Sequence, residues 1–334
     1  MKKILLILLA LSSFLLSKEV TVSITPQKYF VQKIAQDKVT VNVMVKPGFS
    51  PATYEPKVSQ MKKLSSSEAY FSIGVPFESV WLEKFRHANE KMLLVDTSNG
   101  IEKIEMEEHV HHEDEEKHEK HEDEKHKHHE HEEHAHHDKE AHEEHAHNEE
   151  KHEKHAHHED EEKHEEHEKH EHGGLDPHIW LDPILVKVQA KNIYSALVKI
   201  DIENKEFYRK NYESFLNELD SLDNKLETIL KQYEHKAFMV FHPSWGYFAK
   251  RYDLEQIAIE VQGKEPKPAQ LVELVEEAKK HNIKIVFVSP QFSQNGAKTI
   301  SKSINGNVAI INPLAEKWDE NLIKVAKEIA KTYK

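Results

Sequence analysis

The stretch "VTVSITPQKYFVQKIAQDKVTVNVMV", residues 20–45, decides the fold. Two β-branched runs, "VTVSI" at 20–24 and "VTVNVMV" at 39–45, flank "PQKYFVQKIAQ" at 26–36, which has helical spacing and a proline placed to start it. The alternation continues. A helix is predicted near Val58 to Leu64, a strand at "AYFSIG" (69–74), a helix around Glu78 to His87 and a strand at "MLLVD" (92–96). Strands that alternate with helices imply a parallel sheet covered on both faces.

The same pattern returns later in the chain. From Pro183 to Tyr233 the sequence reads as predominantly helical, most regularly in "ENKEFYRKNYESFLNELDSLDNKLETILKQY". A helix of about 25 residues is nearly 40 Å long, enough to bridge two lobes. A second set of strands is predicted at "AFMVF" (237–241), "LEQIAI" (254–259), "IKIVFV" (283–288) and "VAIIN" (308–312). Helices are expected at Trp245–Arg251, Pro268–His281 and Ala297–Ile304, and from Glu320 onward. The reading is α/β: two similar lobes with parallel sheets, joined by a long rigid helix, with a cleft between them.

Residues 1–17 read as a secretory signal peptide: Lys2 and Lys3, an apolar run from Ile4 to Leu16, then Ser17 before a polar junction. That run is short for a membrane span, which needs about 20 apolar residues. The chain has no Cys, so it carries neither a disulfide nor a lipid-modified N-terminal cysteine. An exported chain of this kind fits a bacterial periplasm. The net charge of −14 comes from one segment, Glu107 to His172, where 28 acidic residues face 9 lysines. The remaining 32 acidic and 37 basic residues nearly balance, which is not the basic face of a nucleic-acid binder.

The acidic segment (107–172) also holds 23 of the 28 histidines and, apart from Val110, no Val, Leu, Ile or aromatic residue. It has nothing to bury and is expected to be disordered, between an N-terminal lobe (18–106) and a return segment with the linker helix (173–234). The C-terminal lobe is then 235–334. In "HEHEEHAHH", His129, His131, His134, His136 and His137 are candidate auxiliary metal ligands, and i, i+3 spacing such as His131/His134/His137 would align imidazoles on one helix face. Such sites should empty below about pH 6, since protonated imidazole is no ligand.

Outside the segment lie His87, His178, His235, His242 and His281. His178 sits in "LDPHIWLDP" between Asp176 and Asp182, either of which could orient its ring. His242 ends the strand "AFMVFH", at the carboxyl edge where open parallel sheets bind ligands. The other three sit in charged surroundings and read as surface residues. Tyr54, Trp180, Trp245 and Tyr247 are expected to wall the cleft.

Six ordered motifs carry a family resemblance: "GFSPATYEPKVSQMKKLSSSEAYFSIGVPFE", "LDPHIWLDP", "FHPSWGYFAKRYDL", "VQGKEPKPAQL", "FVSPQFS" and "INPLAEKWDENL". Together they resemble the periplasmic zinc-binding (ZnuA-like) solute-binding proteins of ABC metal transporters, a group that also contains manganese binders. The resemblance implies one metal held between two lobes and delivered to a membrane permease powered by a cytoplasmic ATPase. It implies a receptor with no enzymatic substrate, acting as a monomer. His178 and His242 match two family ligands. Ala52 stands where the family has its first histidine, and Asn312 where it has an aspartate.

Two good ligands of four leave the site open to three completions. Glu55, Glu260 or Gln291 could supply a donor, a histidine of the acidic segment could reach in, or the tight site could be lost. Imidazole-rich coordination favours Zn²⁺, while oxygen donors keep Mn²⁺ possible. Two other functions compete: a periplasmic metal buffer in which the acidic segment does the binding, and a zinc hydrolase. The hydrolase ranks low, because the chain has neither a nucleophile elbow nor an H-E-x-x-H motif.

Overall fold

The computed structural model describes residues 17–106, 174–261 and 263–333. Residues 1–16 of the expected signal peptide and the whole acidic segment therefore lie outside the described residues, and the five auxiliary histidines with them. The first sheet is built from β1 (Lys18–Val22), β2 (Val39–Val43), β3 (Ala69–Ser72) and β4 (Leu93–Asp96), in the order β2-β1-β3-β4 and parallel throughout. Its crossovers are α1 (Thr25–Ala35), α2 (Val58–Leu64) and α3 (Phe77–Ala88). Pro26 opens α1, and the Gln27 amide oxygen reaches back to the backbone N–H groups of Ser23 and Ile24, satisfying donors that a helix start leaves free. Phe30, Val31 and Ile34 then bury the face of α1 that covers the sheet.

The helical stretch after Pro183 is two helices, α4 (Pro183–Ile200) and α5 (Lys205–Leu230). Asp201 makes the break: its carboxylate accepts from Asn204 Nδ2 at 2.8 Å and from the Tyr208 hydroxyl at 2.6 Å, so the chain turns before α5 begins. The 26 residues of α5 span about 39 Å. Its buried stripe of Tyr208, Phe215, Leu219, Leu222, Leu226 and Leu230 packs on α1, α4 and the last helix, so one helix serves both sheets.

The second sheet repeats the first. Strands β5 (Ala237–Val240), β6 (Glu255–Ala258), β7 (Ile285–Val288) and β8 (Asn307–Ile310) are parallel in the order β6-β5-β7-β8. The helices are α6 (Gly246–Arg251), α7 (Pro268–Lys280), α8 (Asn295–Ser303) and α9 (Trp318–Lys331). In each sheet the connections leave in opposite directions from one central strand pair, β1/β3 and β5/β7. The carboxyl ends of those strands are where such folds open a crevice.

The two sheets belong to one compact unit, and specific contacts tie them together. Trp180 Nε1 donates to the Pro313 carbonyl at 2.8 Å, and Trp318 Nε1 donates to the Trp180 carbonyl at 2.7 Å. The Trp318 ring meets Phe30 of α1 edge-on at 5.0 Å. The Tyr247 hydroxyl accepts from the Ile104 N–H at 3.1 Å and donates to the Asp176 carbonyl at 3.0 Å. A short antiparallel bridge joins Glu105 to Leu175, so the chain leaves at Met106 and returns at Gly174 in the same place.

Candidate metal site

A cavity of about 70 Å³ opens where the carboxyl ends of the two sheets face each other. One wall comes from the loops after β2 and β3, through Ala52 and Pro76, and the other from the loops after β5, β7 and β8, through His242, Gln291 and Leu314. His178 and Trp180 close it from the return segment. The loops after β3, β5 and β7 thus lie at the crevice the topology defines, and those after the edge strands β2 and β8 extend its walls.

His178 is 8 % exposed, and its partner Asp176 only 1 %. The Asp176 Oδ1 lies 2.6 Å from His178 Nδ1 and also accepts the His178 backbone N–H at 2.8 Å. Gly246 makes room for this carboxylate, since a Cβ there would lie 3.1 Å from Asp176 Oδ2. Across the cavity, His242 Nδ1 lies 3.0 Å from Oε2 of Glu260, itself 6 % exposed. Each carboxylate fixes the proton on Nδ1 and leaves the Nε2 lone pair free, the arrangement typical of metal-binding histidines. The two ring centroids are 5.5 Å apart, close to the roughly 5 Å expected when two imidazoles bind one tetrahedral ion at about 2.0–2.1 Å. Phe292 stacks on His242 at 4.4 Å and Trp180 lies 5.0 Å from His178, so apolar rings flank both imidazoles.

The structure sorts the remaining candidates. Ala52 lines the cavity and presents only a methyl group, while Glu55 is exposed and outside the lining. Glu260 is held to His242 Nδ1 rather than facing the cavity alone. Asn312 is not a lining residue: its Oδ1 accepts from Gln291 Nε2 and from the Leu314 N–H, both at 3.0 Å. Gln291 does line the cavity. Asp182 does not orient His178. It caps α4 instead, accepting from the Ile184 N–H at 2.7 Å. Of the four aromatic residues expected in the wall, Trp180 alone lines it. Tyr54 bonds Gln60, Trp245 packs edge-on to Phe248, and Tyr247 links the sheets. Among the described residues no cluster of three or more His, Cys, Asp and Glu could hold a metal, in line with the gap at Ala52. Sequence reasoning missed Ser244, a fully buried lining residue. Its only signal was its place two residues after His242.

Two facing parallel sheets with a ligand-sized cavity at their carboxyl edges define a two-lobed solute-binding protein. The sequence profile of the family described as "ZnuA: Zinc-uptake complex component A periplasmic" matches residues 20–334, and the chain belongs to that family. Its members are transport receptors and not enzymes. The high-affinity zinc uptake system protein ZnuA of Bacillus subtilis is 37 % identical over 142 residues, covering 42 % of this chain and 44 % of that protein. The match thus spans less than half the length of that curated relative. A solved structure titled "Crystal structure of ZnuA" is 36 % identical, with a TM-score of 0.74 over 95 % of this chain and 100 % of that one. Another, titled as a ZnuA 138–173 deletion mutant with zinc bound, is 36 % identical, with a TM-score of 0.73 over 95 % and 98 %.

Proposed function

We propose that this chain is an exported receptor, working in the periplasm as a monomer, that captures Zn²⁺ at His178 and His242. It then passes the ion to an ABC-type permease driven by a cytoplasmic ATPase. The observation that supports the reading is the pair of cavity imidazoles, each with a buried carboxylate on Nδ1. Imidazole nitrogen suits zinc better than manganese, which prefers oxygen. The family description and the zinc-bound relative point to the same ion. The acidic histidine-rich segment serves as a weak auxiliary collector.

Calorimetric titration of the full mature chain with Zn²⁺ tests the site. One tight equivalent should appear above the weak ones, and His178→Ala and His242→Ala should each abolish it. A tight equivalent that survives either substitution would remove the site from these residues. A strain lacking the gene should grow poorly in chelated medium and recover with zinc; unimpaired growth with lowered metal tolerance would make the protein a buffer instead.

A further inference from the structure

Among the described residues, two side chains of the cavity lining, Ser244 and Gln291, each carry a buried oxygen with no hydrogen-bond partner, Ser244 Oγ and Gln291 Oε1. Buried polar atoms are nearly always satisfied, so two orphans in one small cavity beside two histidines call for a ligand that satisfies both. Local structure explains how each is held. The His242 carbonyl accepts the Ser244 N–H at 2.7 Å, and this three-residue turn through Pro243 folds Ser244 back beside His242. Ser244 is fully buried. For Gln291 the amide orientation is dictated by its neighbour. Asn312 Oδ1 already accepts the Leu314 N–H, so the Gln291 atom facing it must be the NH₂ group, which leaves Oε1 without a partner.

We infer that Ser244 Oγ and Gln291 Oε1 complete the divalent-cation site that Ala52 leaves short, giving two imidazole nitrogens and two neutral oxygens. This deepens the receptor reading above and rests on it. Four neutral donors leave the full double charge on the ion. The compensating charge lies one group further out, in the Asp176 and Glu260 carboxylates behind the imidazoles. Asn312 then acts as a positioning residue that holds the Gln291 amide, which accounts for an amide in a place where direct coordination would favour a carboxylate.

The absence of cysteine from the sequence supplies a clean test. Ser244→Cys introduces a single thiol, and Co²⁺ added to the full chain below one equivalent should produce a sulfur-to-cobalt charge-transfer band. The histidine-rich segment has no sulfur with which to imitate it. In parallel, Ser244→Ala and Gln291→Met should each weaken the tight Zn²⁺ equivalent by about tenfold or more, with metal-free thermal unfolding recorded to confirm that both fold. No band in Ser244→Cys overturns the assignment of Ser244, and a variant that keeps wild-type affinity removes its oxygen from the site. If His178→Ala also binds normally, the receptor site itself is wrong; if only the oxygen variants bind normally, the site stands and this completion fails.

Discussion

Asp176 holds His178 at two points, through its ring Nδ1 at 2.6 Å and its backbone N–H at 2.8 Å. One carboxylate oxygen therefore sets both the course of the chain and the tautomer of the ring. Asp176→Asn can donate where Asp176 accepts, so the amide can turn the ring or invert its tautomer. Glu260→Gln does the same to His242. Each substitution should weaken the tight Zn²⁺ equivalent by about 10- to 100-fold while leaving the weak equivalents unchanged. Calorimetry resolves the two classes of site, and an unchanged tight constant in both variants would mean the carboxylates serve only folding.

Ala52 faces the same cavity with a methyl group. Its residue is exposed and sits on a loop pinned by the Ser50 hydroxyl, which accepts the Ala52 N–H at 3.2 Å, so a larger side chain has room. Ala52→His should add an imidazole to the existing pair. Affinity should rise by roughly tenfold or more, equivalent to about 1.4 kcal/mol of added ligand energy. Competition against a chelator measures it, and no gain would place residue 52 out of reach of the ion.

Much of this architecture was legible in the chain. Every strand was located by its short apolar run, β-branched in β1 and β2, because each lies in a parallel sheet shielded by helices, and that environment selects apolar residues strongly. The break between α4 and α5 was not, since it depends on Asp201 bonding Asn204 and Tyr208 rather than on a glycine or proline. The placement of His178 and His242 at the strand-end cavity, and the contact of Asp176 with the His178 ring, were legible from motif and strand position. Glu55 and Asn312 fall outside the cavity lining and Asp182 does not bond His178, because a nearby carboxylate or amide in sequence says nothing about where its oxygen points. Asp182 is used up at a helix start and Asn312 by Gln291 and Leu314. Ser244 was illegible because a lone serine acquires meaning only when burial removes its partners.

The Trp180 indole ties the cavity to the second sheet through the Pro313 carbonyl, and that carbonyl belongs to a residue lining the cavity. Trp180→Phe keeps the apolar contact but strands a buried acceptor, at a cost of about 1–3 kcal/mol. For a folded part of this size that corresponds to a fall in Tm of roughly 2–4 °C per kcal/mol. Differential scanning calorimetry of the metal-free protein reads the change, and an unaltered Tm would mean that water replaces the indole without penalty.

Glu78 gives the first sheet a pH dependence of its own. It is 2 % exposed, and burial pushes its carboxyl from 4.5 up to about 7, against the opposing pull of the Ser23 hydroxyl and the Gly74 and Ile73 N–H groups. The folded state thus keeps a proton that the unfolded chain has released between pH 4.5 and about 7. Stability from this group is fully present at the low end of that window, falls as pH rises through it, and levels off above. The total change is about 3 kcal/mol. Glu78→Gln keeps a carbonyl to accept from Ile73 and Gly74 and has no proton to lose. Urea unfolding from pH 4.5 to 8 should show the variant gaining on the wild type as pH rises, most steeply near pH 6. Parallel curves would mean that folding leaves the Glu78 carboxyl at its ordinary value. Val75 and Pro76, which line the cavity proposed to hold the ion, follow directly on the backbone that Glu78 holds, so the same substitution should flatten any loss of zinc affinity that tracks this transition.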